Sequence, residues 1–155
     1  MKIAKWNEKV SAMFDDASMY DSDNLRYAND SDGAYFCTTP YQAYFMPGME
    51  ILTAKMREDH KAAILPGIFH AAIEKSNLAS ETRGKANGKM ARRFSYGDID
   101  VFCYEKFLRV FPKNALFYVS APTAPILVGL WDNDRLHTIG IVMPFRCRED
   151  AFCAA

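Results

Sequence analysis

Toward the end of the chain the apolar positions fall into short runs of strand length, "DIDVFCY", "ALFYVSA", "PILVGLW" and "HTIGIVMP", rich in β-branched and aromatic residues and parted by turn residues. Between the first two, "YEKFLRVFP" sets Phe107, Leu108 and Phe111 on one side of a short helix. Pro122 and Pro125 bracket one turn, and Asp132 to Arg135 form another. The pattern predicts a strand, a helix and three strands, with the helix burying its apolar stripe on one face of an antiparallel sheet.

The earlier chain is less regular. "MKIAKW" reads as a short strand, and "NEKVSAMFDDASMY" as a helix behind an Asn7 cap, with Val10, Met13, Phe14 and Met19 near helical spacing. Asp32-Gly33 signals a hairpin, and "AYFCTT" and "YQAYFM" suit short strands divided or edged by Pro40. "GMEILTAKMREDHKAAILPG" predicts an amphipathic helix with Ile51, Leu52, Met56, Ala63 and Ile64 on its apolar stripe, ending before Pro66-Gly67. "IFHAAIEK" then reads as an alternating strand carrying His70. The polar stretch "SNLASETRGKANGKMARR" predicts a hairpin with a basic tip; its "GKANGKM" is a residue too short for a phosphate-binding loop and has Met90 where magnesium needs Ser or Thr.

The closing "IVMPFR" poses a sharper question, because proline has no N–H for a ladder and a phenylalanine follows it. The expectation is a last strand that stops at Pro144 and leaves Met143 and Phe145 lining a surface groove.

At 155 residues, half apolar and a quarter charged, the chain has an ordinary globular composition. No window reaches the roughly 18 apolar residues of a membrane span, and the N-terminus carries acids where a signal peptide has its apolar stretch, so a cytoplasmic protein is expected. Cys37, Cys103, Cys147 and Cys153 form no C-x-x-C pair and His60, His70 and His137 stand singly, which gives no metal-ligand spacing. Net charge is zero, but residues 51 to 114 hold twelve basic and seven acidic side chains against four and eight in residues 1 to 50. Such asymmetry draws a polyanion to one face of a neutral molecule.

Residues 98 to 146 resemble the closing half of the third domain of the bacterial β sliding clamp family, the rings that tether a replicative DNA polymerase. The likeness lies in the ordered set: strand, short helix "YEKFLRVF", strand, the Pro-containing turn and strand "SAPTAPILV", an acidic turn, and a final strand ending in "MPFR", where that family has Met-Pro-Met-Arg. The resemblance implies an α+β, clamp-like domain of two βαβββ halves, an antiparallel sheet with helices on one face. Residues 1–155 then make a single clamp-like domain, with 1–39 as a possible N-terminal addition and 147–155 as a C-terminal tail lying across the groove. The first half's helix is either "MEILTAKMREDHKAAILPG" or "EKVSAMFDDAS". One such domain closes a six-domain ring only as a homo-oligomer.

In that family the terminal motif walls a groove that receives short apolar peptides from polymerases and other replication proteins. Carried onto this chain, Pro125, Val142, Met143, Pro144, Phe145 and Arg146 form the peptide pocket, with methionine as the adaptable filler. The family also surrounds duplex DNA non-specifically through Lys and Arg on its helices. The matching candidates are Lys55, Lys61, Lys106, Arg109 and Lys113, with Arg83, Lys85, Lys89, Arg92 and Arg93 from the basic loop. No catalytic residue, cofactor or metal is assigned: Ser95 and Ser120 lack a nucleophile-elbow context, and Asp98 and Asp100 merely flank a strand. The competing reading is a small α+β interaction module from a mobile element or phage, with no DNA role, docking through the aromatic segment Tyr35 to Phe45.

Overall fold

Alternating apolar positions on both sides of several strands dictate the architecture. In the computed structural model, which describes residues 2–19, 24–51 and 64–155, the chain opens with helix α1 (Lys2–Met19) and the meander β1 (Arg26–Asn29), β2 (Gly33–Thr39) and β3 (Gln42–Pro47). Helix α2 (Leu65–Lys75) follows, then β4 (Asn77–Leu78), β5 (Ser80–Ala86), β6 (Lys89–Tyr96), β7 (Ile99–Tyr104) and the single helical turn α3 (Glu105–Leu108). The chain continues through β8 (Leu116–Val119), β9 (Ile126–Asp132) and β10 (Arg135–Val142), and a 3₁₀ turn at Glu149–Ala151 leads into β11 (Phe152–Ala154).

Two antiparallel sheets result: seven strands in the order β1-β2-β3-β10-β9-β8-β4, and four in the order β11-β5-β6-β7. At the centre of the larger sheet the meanders β1-β2-β3 and β8-β9-β10 meet edge to edge, with Gly140, Ile141 and Val142 opposite Tyr44, Ala43 and Gln42. α1 leads into the first meander and α3 into the second.

The larger sheet is buried on both faces. On one, Phe36, Tyr44, Met46, Val128, Leu130, Ile139 and Val142 pack with Trp6, Val10 and Phe14 of α1, with Leu108 and Phe111, and with Phe94, Val101 and Cys103 of the smaller sheet. On the other, Tyr35, Ala43, Phe45, Leu127 and Ile141 pack under Leu65, Phe69 and Ala72 of α2. The expectation of helices on one face is therefore corrected. Runs such as "AYF" and "AYFM" are buried at every position, and a sheet apolar on both sides needs a cover on both.

α1 begins at Lys2, so "MKIAKW" is helix and not strand. Trp6, Val10 and Phe14 recur every fourth residue along its buried face. Asn7 lies inside the helix, where its amide Nδ2 donates to the carbonyl of Pro47 at 3.1 Å and ties α1 to the end of β3. Trp6 inserts more deeply, its Nε1–H donating to the carbonyl of Phe45 at 2.9 Å and its ring stacking on Phe111 at 5.5 Å.

The stretch "IFHAAIEK" is likewise helix, in α2. Pro66 sits in its first turn, where no N–H is needed for the ladder, so the residue expected to stop a helix starts one. Of the helix predicted before Pro66, residues 52–63, with Lys55 and Lys61, lie outside the described residues. From Ser80 to Val142 the predicted strands and turns match the observed elements, whereas β11 falls in the stretch expected to be a tail. Two of the two-residue hairpins turn on pairs of left-handed residues, Asn87-Gly88 (φ 52° and 75°) and Asn133-Asp134 (φ 53° and 59°), the geometry that matches strand twist.

Candidate functional site

A groove of about 770 Å³ lies between α2 and the sheet face beneath it. Leu65, Ile68 and Ala72 form one wall, and Cys37, Ala43 and Ile141 line the sheet side. Met143 and the β8–β9 loop residues Ser120, Ala124 and Pro125 border it further, as do Thr39 and Pro40 of the β2–β3 turn. Small side chains explain the space: Ala43, Ala71, Ala72 and Ala124 stand where larger residues would fill the volume. Among the described residues that line it, the charged ones, Arg26 and Lys75, are basic and none is a carboxylate.

Burial pushes the Cys37 thiol up from its usual value, with Arg26 opposing weakly, which keeps the sulfur protonated and a poor nucleophile near neutrality. The groove thus offers apolar area, a few hydrogen-bonding groups and a positive rim, the features of a binding site.

Of the expected peptide-pocket residues, Pro125 and Met143 line this groove and the others do not. Val142 is fully buried on the opposite face of the sheet, among the residues packed on α1. Alternation is the reason: Ile141 and Met143 share one side of β10 and its extension, and Val142 takes the other. The strand ends at Val142 and not at Pro144, although the Met143 N–H still donates to the Tyr41 carbonyl at 2.7 Å. Beyond Pro144 the chain crosses to the smaller sheet. There the Phe145 N–H donates to Phe102 at 2.9 Å and its ring stacks on Tyr104 at 3.9 Å, while Arg146 borders a separate polar cleft. The tail leaves the groove open and pairs β11 with β5.

The basic candidates are also divided. Arg92 faces inward from β6, bonded to Glu105 and Glu81, with its side chain 12% exposed. Arg83 and Lys85 are exposed on β5, on the side of the sheet that carries Arg92. Lys89 and Arg93 project from the opposite side. Lys106, Arg109 and Lys113 are exposed on and after α3. Among the described residues these candidates form no single row.

Sequence spacing missed one grouping. Asp30, Asp32 and His70 bring a donor atom each to within 4.8 Å of one another, although His70 is on α2 and the aspartates are in the β1–β2 hairpin. Asp30 is already engaged: Oδ1 accepts from the N–H groups of Asp32 and Gly33, and Oδ2 accepts from the Tyr35 hydroxyl at 2.7 Å with His70 Nε2 at 3.4 Å. The cluster works as a tie between the hairpin and α2. The groove residues Ile68 and Ala72 were missed because "IFHAAIEK" reads as a strand, and Leu65 because it falls at the end of the helix expected before Pro66; Pro66 as a first-turn residue was the available signal.

Comparison of the chain with protein-family models, with curated proteins and with solved structures finds no match. No helix among the described residues is long and apolar enough to cross a membrane.

Proposed function

We propose that this protein is a non-enzymatic interaction module that captures a short apolar segment of a partner protein in the groove between α2 and the sheet. The observation that carries the reading is the groove's lining, in which Leu65, Ile68, Ile141, Met143 and Pro125 supply apolar surface and, among the described residues, Arg26 and Lys75 supply the charges. Such a lining favours a peptide with two or three large apolar side chains and a flanking carboxylate.

A fluorescein-labelled hexapeptide carrying Leu, Phe and Asp provides the test, read by anisotropy. Saturable micromolar binding is expected, lost in Met143→Asp and in Ile68→Glu while far-UV circular dichroism stays unchanged. Absence of saturation at millimolar protein, or equal binding by both variants, overturns the assignment.

A second reading, a sliding-clamp-like replication accessory, draws support from the order β7-α3-β8-β9-β10 and from the paired meanders that meet at β3 and β10. Its duplex-DNA component has less behind it. The exposed positions of α1 set Lys2, Lys5 and Lys9 against Glu8, Asp15 and Asp16, and Arg92 is held by carboxylates. Light scattering separates the two readings: a ring of this domain needs about six subunits, and a monomer or dimer leaves the interaction module alone.

A further inference from the structure

The smaller sheet treats its two sides differently. Inward, Arg92 is neutralised by Glu81 and Glu105. Outward, Lys89 and Arg93 of β6 lie beside Phe102 and Tyr104 of β7, and the chain after Pro144 adds Phe145 and Phe152 to the same aromatic group.

The rings there are arranged as stacks with cations on them. Phe145 lies parallel to Tyr104 at 3.9 Å and 8°, Lys89 Nζ stands 5.3 Å from the Tyr104 centroid, and the Arg93 guanidinium is 5.4 Å from that of Phe152. Tyr104, Phe145 and Phe152 all remain partly exposed. Beside the stack opens a polar cleft of about 450 Å³, lined by Arg146, Arg148 and Asn87 and, on the acidic side, by Asp150. Asn87 Nδ2 also donates to the Tyr104 hydroxyl at 3.2 Å, which joins cleft and stack. Asp100, at the far end of β7 on the same side of the sheet, accepts from Ser95 Oγ at 2.6 Å. Lys89, Arg93, Arg146 and Arg148 make no ion pair among the described residues.

We propose that this outer face of the smaller sheet, from Lys89 and Arg93 through the Tyr104–Phe145 stack to Arg146 and Arg148, binds single-stranded nucleic acid. Unpaired bases present flat faces that extend an aromatic stack, and phosphates spaced along the strand meet the cations at its border. A duplex hides its base faces and gains only the phosphate contacts, and an acidic peptide gains only the charge. The site is separate from the α2 groove and does not depend on a ligand there.

The test is anisotropy of a labelled oligothymidylate of about 15 nucleotides, long enough for one such platform. Four phosphate contacts predict an affinity about 50-fold weaker at about 200 mM salt than at about 50 mM. Phe145→Leu, which keeps apolar bulk and removes the flat ring, is expected to weaken binding about tenfold. The exposed pair Arg146→Ala/Arg148→Ala lowers the affinity at low salt and flattens the salt dependence, and it reports on the site independently should Phe145→Leu alter the fold. Arg92→Lys, on the inward side, leaves the affinity unchanged. Equal affinity for a duplex of the same length, salt-insensitive binding, no binding at about 50 mM salt, or wild-type affinity in the double arginine variant overturns the proposal.

Discussion

Arg92 grips Glu105 at two points, Nε on Oε2 at 2.7 Å and Nη2 on Oε1 at 2.5 Å, while its Nη1 reaches Glu81 at 2.9 Å. The pair fastens β6 to the first residue of α3, and the guanidinium also lies over the Phe117 ring at 5.7 Å. A fork-on-carboxylate contact of this kind is charge-assisted and geometrically specific. Its strength follows from where it sits, with side chains 12% and 18% exposed.

Glu105→Gln is expected to lower stability at neutral pH by about 2 kcal/mol, since it leaves a partly buried guanidinium short of its charged acceptor. The hydrogen bond from Arg92 holds the Glu105 carboxyl below its ordinary 4.5. A depressed carboxyl stabilises the fold fully above its unfolded value and loses that contribution as the pH falls through the folded one. Urea titrations should therefore show the gap between wild type and variant closing below pH 4.5.

Gly140 in β10 has no room for a side chain: a Cβ there would stand 2.5 Å from Phe111 Cε1 and 3.0 Å from the Ala43 carbonyl. Gly140→Ala is expected to cost about 1–3 kcal/mol by overpacking, read as a lowered thermal midpoint. Adding Phe111→Leu should recover part of the loss, because the clash is with the ring edge. A double variant no better than the sum of its parts would assign the strain to the backbone contact instead.

Trp6→Phe removes the Nε1–H that satisfies the Phe45 carbonyl and some of the surface stacked on Phe111. A loss of about 2 kcal/mol is expected in chemical denaturation, with Trp6→Ala reaching about 3–5 kcal/mol.

The thiols should separate by reactivity. Cys103 is fully buried and its pKa is pushed up to about 12 by that burial, whereas Cys153 is exposed on β11. A colorimetric thiol reagent at pH 8 should label Cys153 in the native protein and reach Cys103 only after denaturant is added; rapid native labelling of Cys103 would mean that the layer between the sheets opens readily.

Where the sequence announced the fold, it did so through turns. Asn87-Gly88 and Asn133-Asp134 fix the lengths of the hairpins they close, so β5, β6, β9 and β10 were legible from "ANGK" and "DNDR". The amphipathic helices were harder. In "LPGIFHAAIEK" the buried residues are Leu65, Phe69 and Ala72, a helical spacing obscured by exposed Ile64 and Ile73 and by a proline that marks helix starts as well as ends. In "KIAKWNEKV" the deciding event is long-range: Trp6 and Asn7 find acceptors on Phe45 and Pro47, which no local pattern announces.

The site was half legible for a related reason. "IVMPFR" did mark a place where a strand stops and apolar side chains come to the surface, but period-two alternation sends Val142 inward and Met143 outward. Phe145 then belongs to another sheet altogether, because the chain after Pro144 crosses to the edge of β7. Charge density was the weaker guide. "ARR" places two arginines on opposite sides of β6, and only the register with β7 tells which one is held by carboxylates.

The union of β3 with β10 sets an order of events for the newborn polypeptide. As β3 emerges during synthesis, β2 can flank it on one side, but the strand that must cover the other arrives only after all of β4 to β9 has been made. A greasy, hydrogen-bond-hungry border is therefore on display throughout elongation, and the central ladder closes late, so the nascent molecule invites both holdase chaperones and mispairing with its own siblings.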